Sequence, residues 1–182
     1  MKFVRVRIGD NIKLGVLSRD DKKIILLEKK FSNGTEDLTT LITIANDSML
    51  NEIAALADNQ TENFVALHEA EILAPIQKPV HDILCVGVNY YDHLEECVGT
   101  MDIKPSAGTV YFSKRASEII GPGKEIPGHF SLDSDIDYEV ELAVIIGKSG
   151  RDITVEDAED YIFGYSIFND VSARSLDRKS VV

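Results

Sequence analysis

The sequence has no tryptophan, only two cysteines and five prolines in 182 residues, and no apolar run of the length needed to cross a membrane. Cys85 and Cys97 lack CxxC spacing, and Cys85 sits inside an apolar run, so both read as reduced, packed thiols of a cytosolic protein. Without tryptophan, and with 7 phenylalanines and 6 tyrosines scattered along the chain, there is no aromatic platform for stacking bases or sugars. Positive charge is also scarce. Lys plus Arg number 19 against 31 Asp plus Glu, a formal net charge of -12, which leaves no electrostatic footprint for nucleic acid or an anionic membrane surface. The opening MKFVRVRIGDNIKLGV alternates apolar and charged residues and has no small-residue cleavage site, so no signal peptide is expected and the placement expected is cytoplasmic.

What is there suits a globular protein: 44% hydrophobic and 27% charged residues, in a chain able to bury roughly 70% of its unfolded surface. The expected class is α+β, mostly β. Phe3 to Ile8, Ile12 to Leu17 and Lys23 to Leu27, separated by Gly9-Asp10-Asn11 and Ser18-Arg19-Asp20-Asp21, predict a small meander. From Leu38 the spacing becomes helical, with Leu50, Ile53, Ala54 and Ala57 on one stripe and Ser48 or Asp47 as N-cap. A polar stretch and the prolines Pro75 and Pro79 place a boundary near residues 70 to 80. Residues 1–75 then form a small N-terminal domain and residues 76–182 a second one. Ile83 to Val88 predicts a strand buried on both faces, Val110 to Phe112 a short strand, and Tyr138 to Ile146 the longest strand. Thr154 to Phe163, with Thr154 and Asp157 in capping-box spacing, predicts a helix, and Gly164 to Phe168 a last strand.

Alternation in the long strand puts Glu139 and Glu141 on one face with Ala143 and Ile145. Two carboxylates at i and i+2 repel, so something positive should sit over them. A hard divalent cation would serve, and oxygen-only ligands favour Mg²⁺ or Mn²⁺, or Ca²⁺ if more oxygens converge. The other reading is a strand that frays at Glu141 and leaves both acids solvated. Asp133, Asp135 and Asp137 invite comparison with an EF-hand. The required Gly and Glu are Tyr138 and Val144, so these aspartates read as a solvated loop, with a Ca²⁺-binding module as a minor alternative.

Asp170 follows the last strand, either as a third acid or as a turn or N-cap residue for Ser172 to Leu176. His93 and Glu96 would face each other if the chain turns helical there, which is general-base geometry and also a common surface pair. Lys114 and Arg115 could meet a substrate carboxylate or remain surface cations. Gly121-Pro122-Gly123-Lys124 fails both nucleotide fingerprints and reads as a turn. His68, His81 and His129 have no ligand spacing.

Taken in order, Val86-Gly87-Val88-Asn89-Tyr90-Tyr91-Asp92-His93, Phe112-Ser113-Lys114, Gly121-Pro122-Gly123, Asp137 to Lys148, and Gly164-Tyr165 with Asn169-Asp170-Val171-Ser172-Ala173-Arg174 resemble the fumarylacetoacetate hydrolase family. The resemblance implies the first part of a mixed β-roll in residues 76–182. It implies Mg²⁺ or Mn²⁺ held by Glu139, Glu141 and Asp170, a His93–Glu96 dyad that activates water or moves a proton, and Lys114 lining the pocket. Members cleave, hydrate, decarboxylate or isomerise small 2-keto or enol acids through a metal-stabilised enolate, and intact members are expected to be homodimers. Ser175 stands where the motif usually has Asp. Family members also continue for roughly another hundred residues beyond Val182, an ordinary domain's worth of chain. A catalytically inactive piece that at most binds metal or a partner chain is therefore the alternative expectation.

Overall fold

The computed structural model describes all residues except 29–30, 32–35, 60–61, 88, 93–94, 96–108, 129–130 and 178–182. Strands β1 (Phe3–Ile8), β2 (Asn11–Leu17) and β3 (Lys23–Leu26) form the expected meander. The β1–β2 turn closes on Gly9 and Asp10, and Gly9 has φ 56°, the left-handed value that a tight hairpin takes at its first central position. Two further strands flank the meander, β4 (Phe64–Ala66) and β5 (Glu71–Leu73). The result is an antiparallel sheet in the order β4-β3-β2-β1-β5.

Helices α1 (Leu38–Ile44) and α2 (Asp47–Asn59) bring their apolar residues to this sheet. Leu14, Val16, Ile25, Phe31, Leu38, Leu41 and Ile53 form the buried cluster. Asp37 caps α1 by accepting from the Thr39 amide. The expected caps for α2 are corrected: Asn46 accepts from the Met49 amide at 2.9 Å, the reach of an N-cap side chain to the third helical residue, so Asp47 and Ser48 lie inside the helix.

The remaining strands form three antiparallel pairs: β6 (Ile83–Gly87) with β7 (Val110–Lys114), β8 (Ile136–Asp137) with β11 (Ser172–Ala173), and β9 (Val140–Ile146) with β10 (Ile162–Asn169). Two expectations fail here. The stretch Thr154 to Phe163 is not an α-helix. The Thr154 hydroxyl does bond the Asp157 carboxylate at 3.0 Å, but only a 3₁₀ turn, Ala158–Tyr161, follows. Sheet pairing then takes over, because the Gly147 amide donates to the Tyr161 carbonyl and Ile162 pairs with Ile146. Nor is β6 buried on both faces: Leu84 is 69% and Val86 39% exposed, because among the described residues β7 is its sole strand partner and no element covers that side.

The N-terminal sheet is fastened to the rest by specific contacts. The rings of Phe3 and Phe163 lie 5.6 Å apart, and Arg5 donates to Gln77, whose amide donates to Glu118. Gly121 approaches β5 so closely that a Cβ there would lie 2.8 Å from the Ala74 nitrogen.

Candidate active site

The β9–β10 register determines where the acids meet. Val140 pairs with Asn169 and Glu141 with Phe168, so Glu139 and Asp170 flank the same end of the hairpin. Glu139 is clamped from both sides: its amide donates to the Asn169 side chain at 3.1 Å, and its carbonyl accepts from the Asp170 amide at 2.7 Å. Asp170 is thus neither a solvated turn residue nor a helix cap. Its side chain is 7% exposed. Along β9, Glu141, Ala143 and Ile145 are sheltered while Val140, Leu142, Val144 and Ile146 are exposed, so both glutamates lie on the covered face, as alternation requires.

The positive charge that these acids call for is present as two side chains. Lys114, at the end of β7, places its ammonium 2.6 Å from Asp170 Oδ1 and donates to the Val171 carbonyl at 3.1 Å and the Ser172 hydroxyl at 2.9 Å. Three acceptors match its three protons. Arg174 opens the short helix α3 (Arg174–Asp177) and donates to both Asp137 and Glu139. Burial works against the Arg174 charge, but the bonds to Glu139 and Asp137 outweigh it and hold the guanidinium above its ordinary pKa. Arg174 was not singled out from sequence as a site residue. Its position after the Asn-Asp-Val-Ser-Ala run, which folds back on β8 as β11, is what brings it there.

Asp133 is also corrected. It is buried at 4% exposure rather than part of a solvated loop, and it accepts from the Asp135 amide at 2.8 Å and the Leu176 amide at 3.0 Å. Burial alone would raise its pKa. The two amides, with Ser175, outweigh that and keep the carboxyl below the usual aspartate value. Its oxygens tie α3 to the segment before β8, and Asp137 pairs with Arg174.

Glu139, Glu141 and Asp170 suit a hard cation by donor type and by backbone position. As arranged, two of them carry Arg174 and Lys114, and among the described residues no three His, Cys, Asp or Glu side chains are gathered into a metal cage. The Glu141 side chain forms no hydrogen bond or ion pair with a described residue. Two clefts, of about 360 and 350 Å³, lie along the junction with the N-terminal sheet and contain none of the three acids.

The profile of the fumarylacetoacetate (FAA) hydrolase C-terminal family matches residues 82–181, more than half of the chain and the whole of this acid cluster. The chain belongs to the fumarylacetoacetate hydrolase family. It is 36% identical to oxaloacetate tautomerase YisK of Bacillus subtilis, over 98% of this chain and 62% of that protein. The structure of a fumarylacetoacetate hydrolase from psychrophilic Exiguobacterium antarcticum superposes with TM-score 0.76 at 34% identity, over 100% of this chain and 59% of that one. Maleylpyruvate hydrolase from Sphingobium sp. SYK-6, solved with manganese(II) and pyruvate, shares the fold at TM-score 0.72 and 23% identity, over 96% of this chain and 60% of that one. The chain therefore spans about three fifths of the length of these relatives.

In this family member the expected dyad, His93 and Glu96, lies outside the described residues, although residues 91, 92 and 95 beside it have helical backbone. Arg115 is exposed, unlike Lys114. Cys85 is a neighbour of the acids that sequence reading left as packing. Burial pushes its thiol up, and the Asp170 and Glu141 charges push it further against the opposing pull of Lys114. A raised thiol pKa means less thiolate at any given pH. Alkylation of Cys85 by iodoacetamide at pH 8, resolved from Cys97 by mass spectrometry, is expected to be slower than that of a free thiol and to accelerate in Asp170→Asn. Unchanged rates would show that the acids do not act on the thiol.

Proposed function

We propose that this chain carries the metal-binding part of an enzyme that processes small 2-keto or enol carboxylic acids through an enolate, as a tautomerase, hydrolase, decarboxylase or related isomerase. The observation behind this reading is the clamping of Glu139 by Asn169 and Asp170, which sets three carboxylates at one end of the β9–β10 hairpin. Glu139, Glu141 and Asp170 would hold Mg²⁺ or Mn²⁺, which supplies the positive charge that stabilises an enolate. His93, oriented by Glu96, takes or returns the proton, and Lys114 provides positive charge for an acidic substrate. Residues 1–75 act as the small accessory domain and residues 76–182 as the first part of the catalytic roll, in a cytoplasmic protein that is a homodimer when intact.

The test follows the disappearance of enol-oxaloacetate by its ultraviolet absorbance with Mn²⁺ or with chelator. Metal-dependent acceleration that is lost in His93→Ala supports the reading, and acceleration that survives chelation overturns it. A second reading, an inactive piece that binds metal or a partner chain, is favoured by the exposed apolar row Val140, Leu142, Val144 and Ile146. Mn²⁺ binding without any acceleration would select it.

A further inference from the structure

Lys114 and Arg174 both neutralise the acid cluster, but they are tethered differently. Arg174 spans Glu139 and Asp137, and Asp137 is not among the proposed metal ligands, so the guanidinium keeps one carboxylate whatever happens at Glu139. Asp170 is the sole carboxylate paired with Lys114 among the described residues. Its other two bonds go to neutral oxygens, the Val171 carbonyl and the Ser172 hydroxyl, and the hydroxyl in turn donates to the Asp170 carbonyl at 3.3 Å. The Lys114 side chain is 30% exposed against 7% for Asp170, so the ammonium can withdraw toward solvent and the carboxylate cannot.

We infer that Lys114 is the built-in counter-ion of Asp170 and competes with a divalent metal for it. This rests on the metal reading above and adds an exchange to it. In the absence of metal, the ammonium keeps a nearly buried carboxylate neutralised. A divalent ion on the same carboxyl group would stand only a few ångströms from that ammonium, and like charges at that spacing repel. Metal entry therefore releases Lys114 from Asp170, while Val171 and Ser172 still hold it nearby. Arg174 stays in place as the positioning residue for Glu139. Coupling of this kind is reciprocal: the factor by which Lys114 weakens metal binding is the factor by which metal weakens the Lys114 contact.

The experiment is a Mn²⁺ titration of the full chain, read from the electron paramagnetic resonance signal of free Mn²⁺, beside thermal unfolding with and without the ion. Lys114→Met is expected to bind Mn²⁺ about tenfold more tightly, within the usual range of coupling between sites. It is expected to unfold earlier than the wild type without metal, and so to show the larger Mn²⁺-induced rise. Lys114→Arg, which keeps the charge, is expected to stay near the wild-type affinity. If Lys114→Met does not fold, Lys114→Gln carries the same comparison, because its amide keeps a donor for Val171 and Ser172. Equal Mn²⁺ affinity in the wild type and the neutral variant overturns the exchange and leaves the metal site standing. No Mn²⁺ binding by either chain overturns the metal reading itself.

Discussion

In a chain carrying Glu139→Gln and Glu141→Gln, Mn²⁺-dependent turnover of a 2-keto acid is expected to fall by more than the roughly 100-fold typical of losing a group that only supports a metal ligand. The substitution preserves side-chain volume and removes two negative charges. Arg174 keeps Asp137, and the backbone bonds between Glu139, Asn169 and Asp170 do not involve the altered groups, so the local fold is expected to survive. Thermal unfolding separates the metal site from its catalysis. An ion that binds only the native wild type, at a hundred times its Kd, stabilises it by about 2.7 kcal/mol. For a chain of this size that raises the midpoint by roughly 5–10 °C. The double variant is expected to show no rise. A full rise in the variant would mean that the ion sits elsewhere.

The second large effect is structural. Ile53 of α2 is fully buried in the cluster with Leu14, Val16, Ile25, Phe31, Leu38 and Leu41, so Ile53→Ala removes three carbons where no water can follow. The expected cost is about 2–5 kcal/mol, a lost transfer energy plus a cavity. Urea unfolding followed by circular dichroism measures it. Ser48→Ala, on the exposed side of the same helix, is expected to change stability by less than about 0.5 kcal/mol. A loss at Ile53 no greater than that at Ser48 would show that α2 is not docked on the sheet.

The contrast between these two regions explains what the sequence discloses. The meander is local: each strand pairs with its sequence neighbour across a short turn, and alternation with turn chemistry suffices to read β1, β2 and β3. Alternation likewise places Glu139 and Glu141 on one face. It names a face and not an occupant. The cations over the acids come from 57 residues away in the case of Lys114, measured to Val171, and 35 residues away for Arg174, measured to Glu139. Asp133 looks like a loop residue until the Leu176 amide, 43 residues on, closes on it. The three-residue strand β4 carries too little pattern to be read, and Asn46 became a cap because its side chain reached an amide that Asp47 and Ser48 did not. Between Thr154 and Phe163 the capping signal was genuine and the helix was not, since pairing with β9 decided the issue.

Strand β10 begins beside Phe163, which leans on Phe3 of the N-terminal sheet, and ends at Asn169, next to Asp170. The span from Phe163 to Asn169 is roughly 20 Å of extended chain. One strand therefore answers to two separate sets of contacts. Its far end is free to drift only in step with position 3, while its near end answers to the acids. Across descendants of this gene, positions 3 and 163 would then change together, and a lineage that discards the small sheet would have to find another ring-sized cover for Phe163 before it could keep Asp170 where it is.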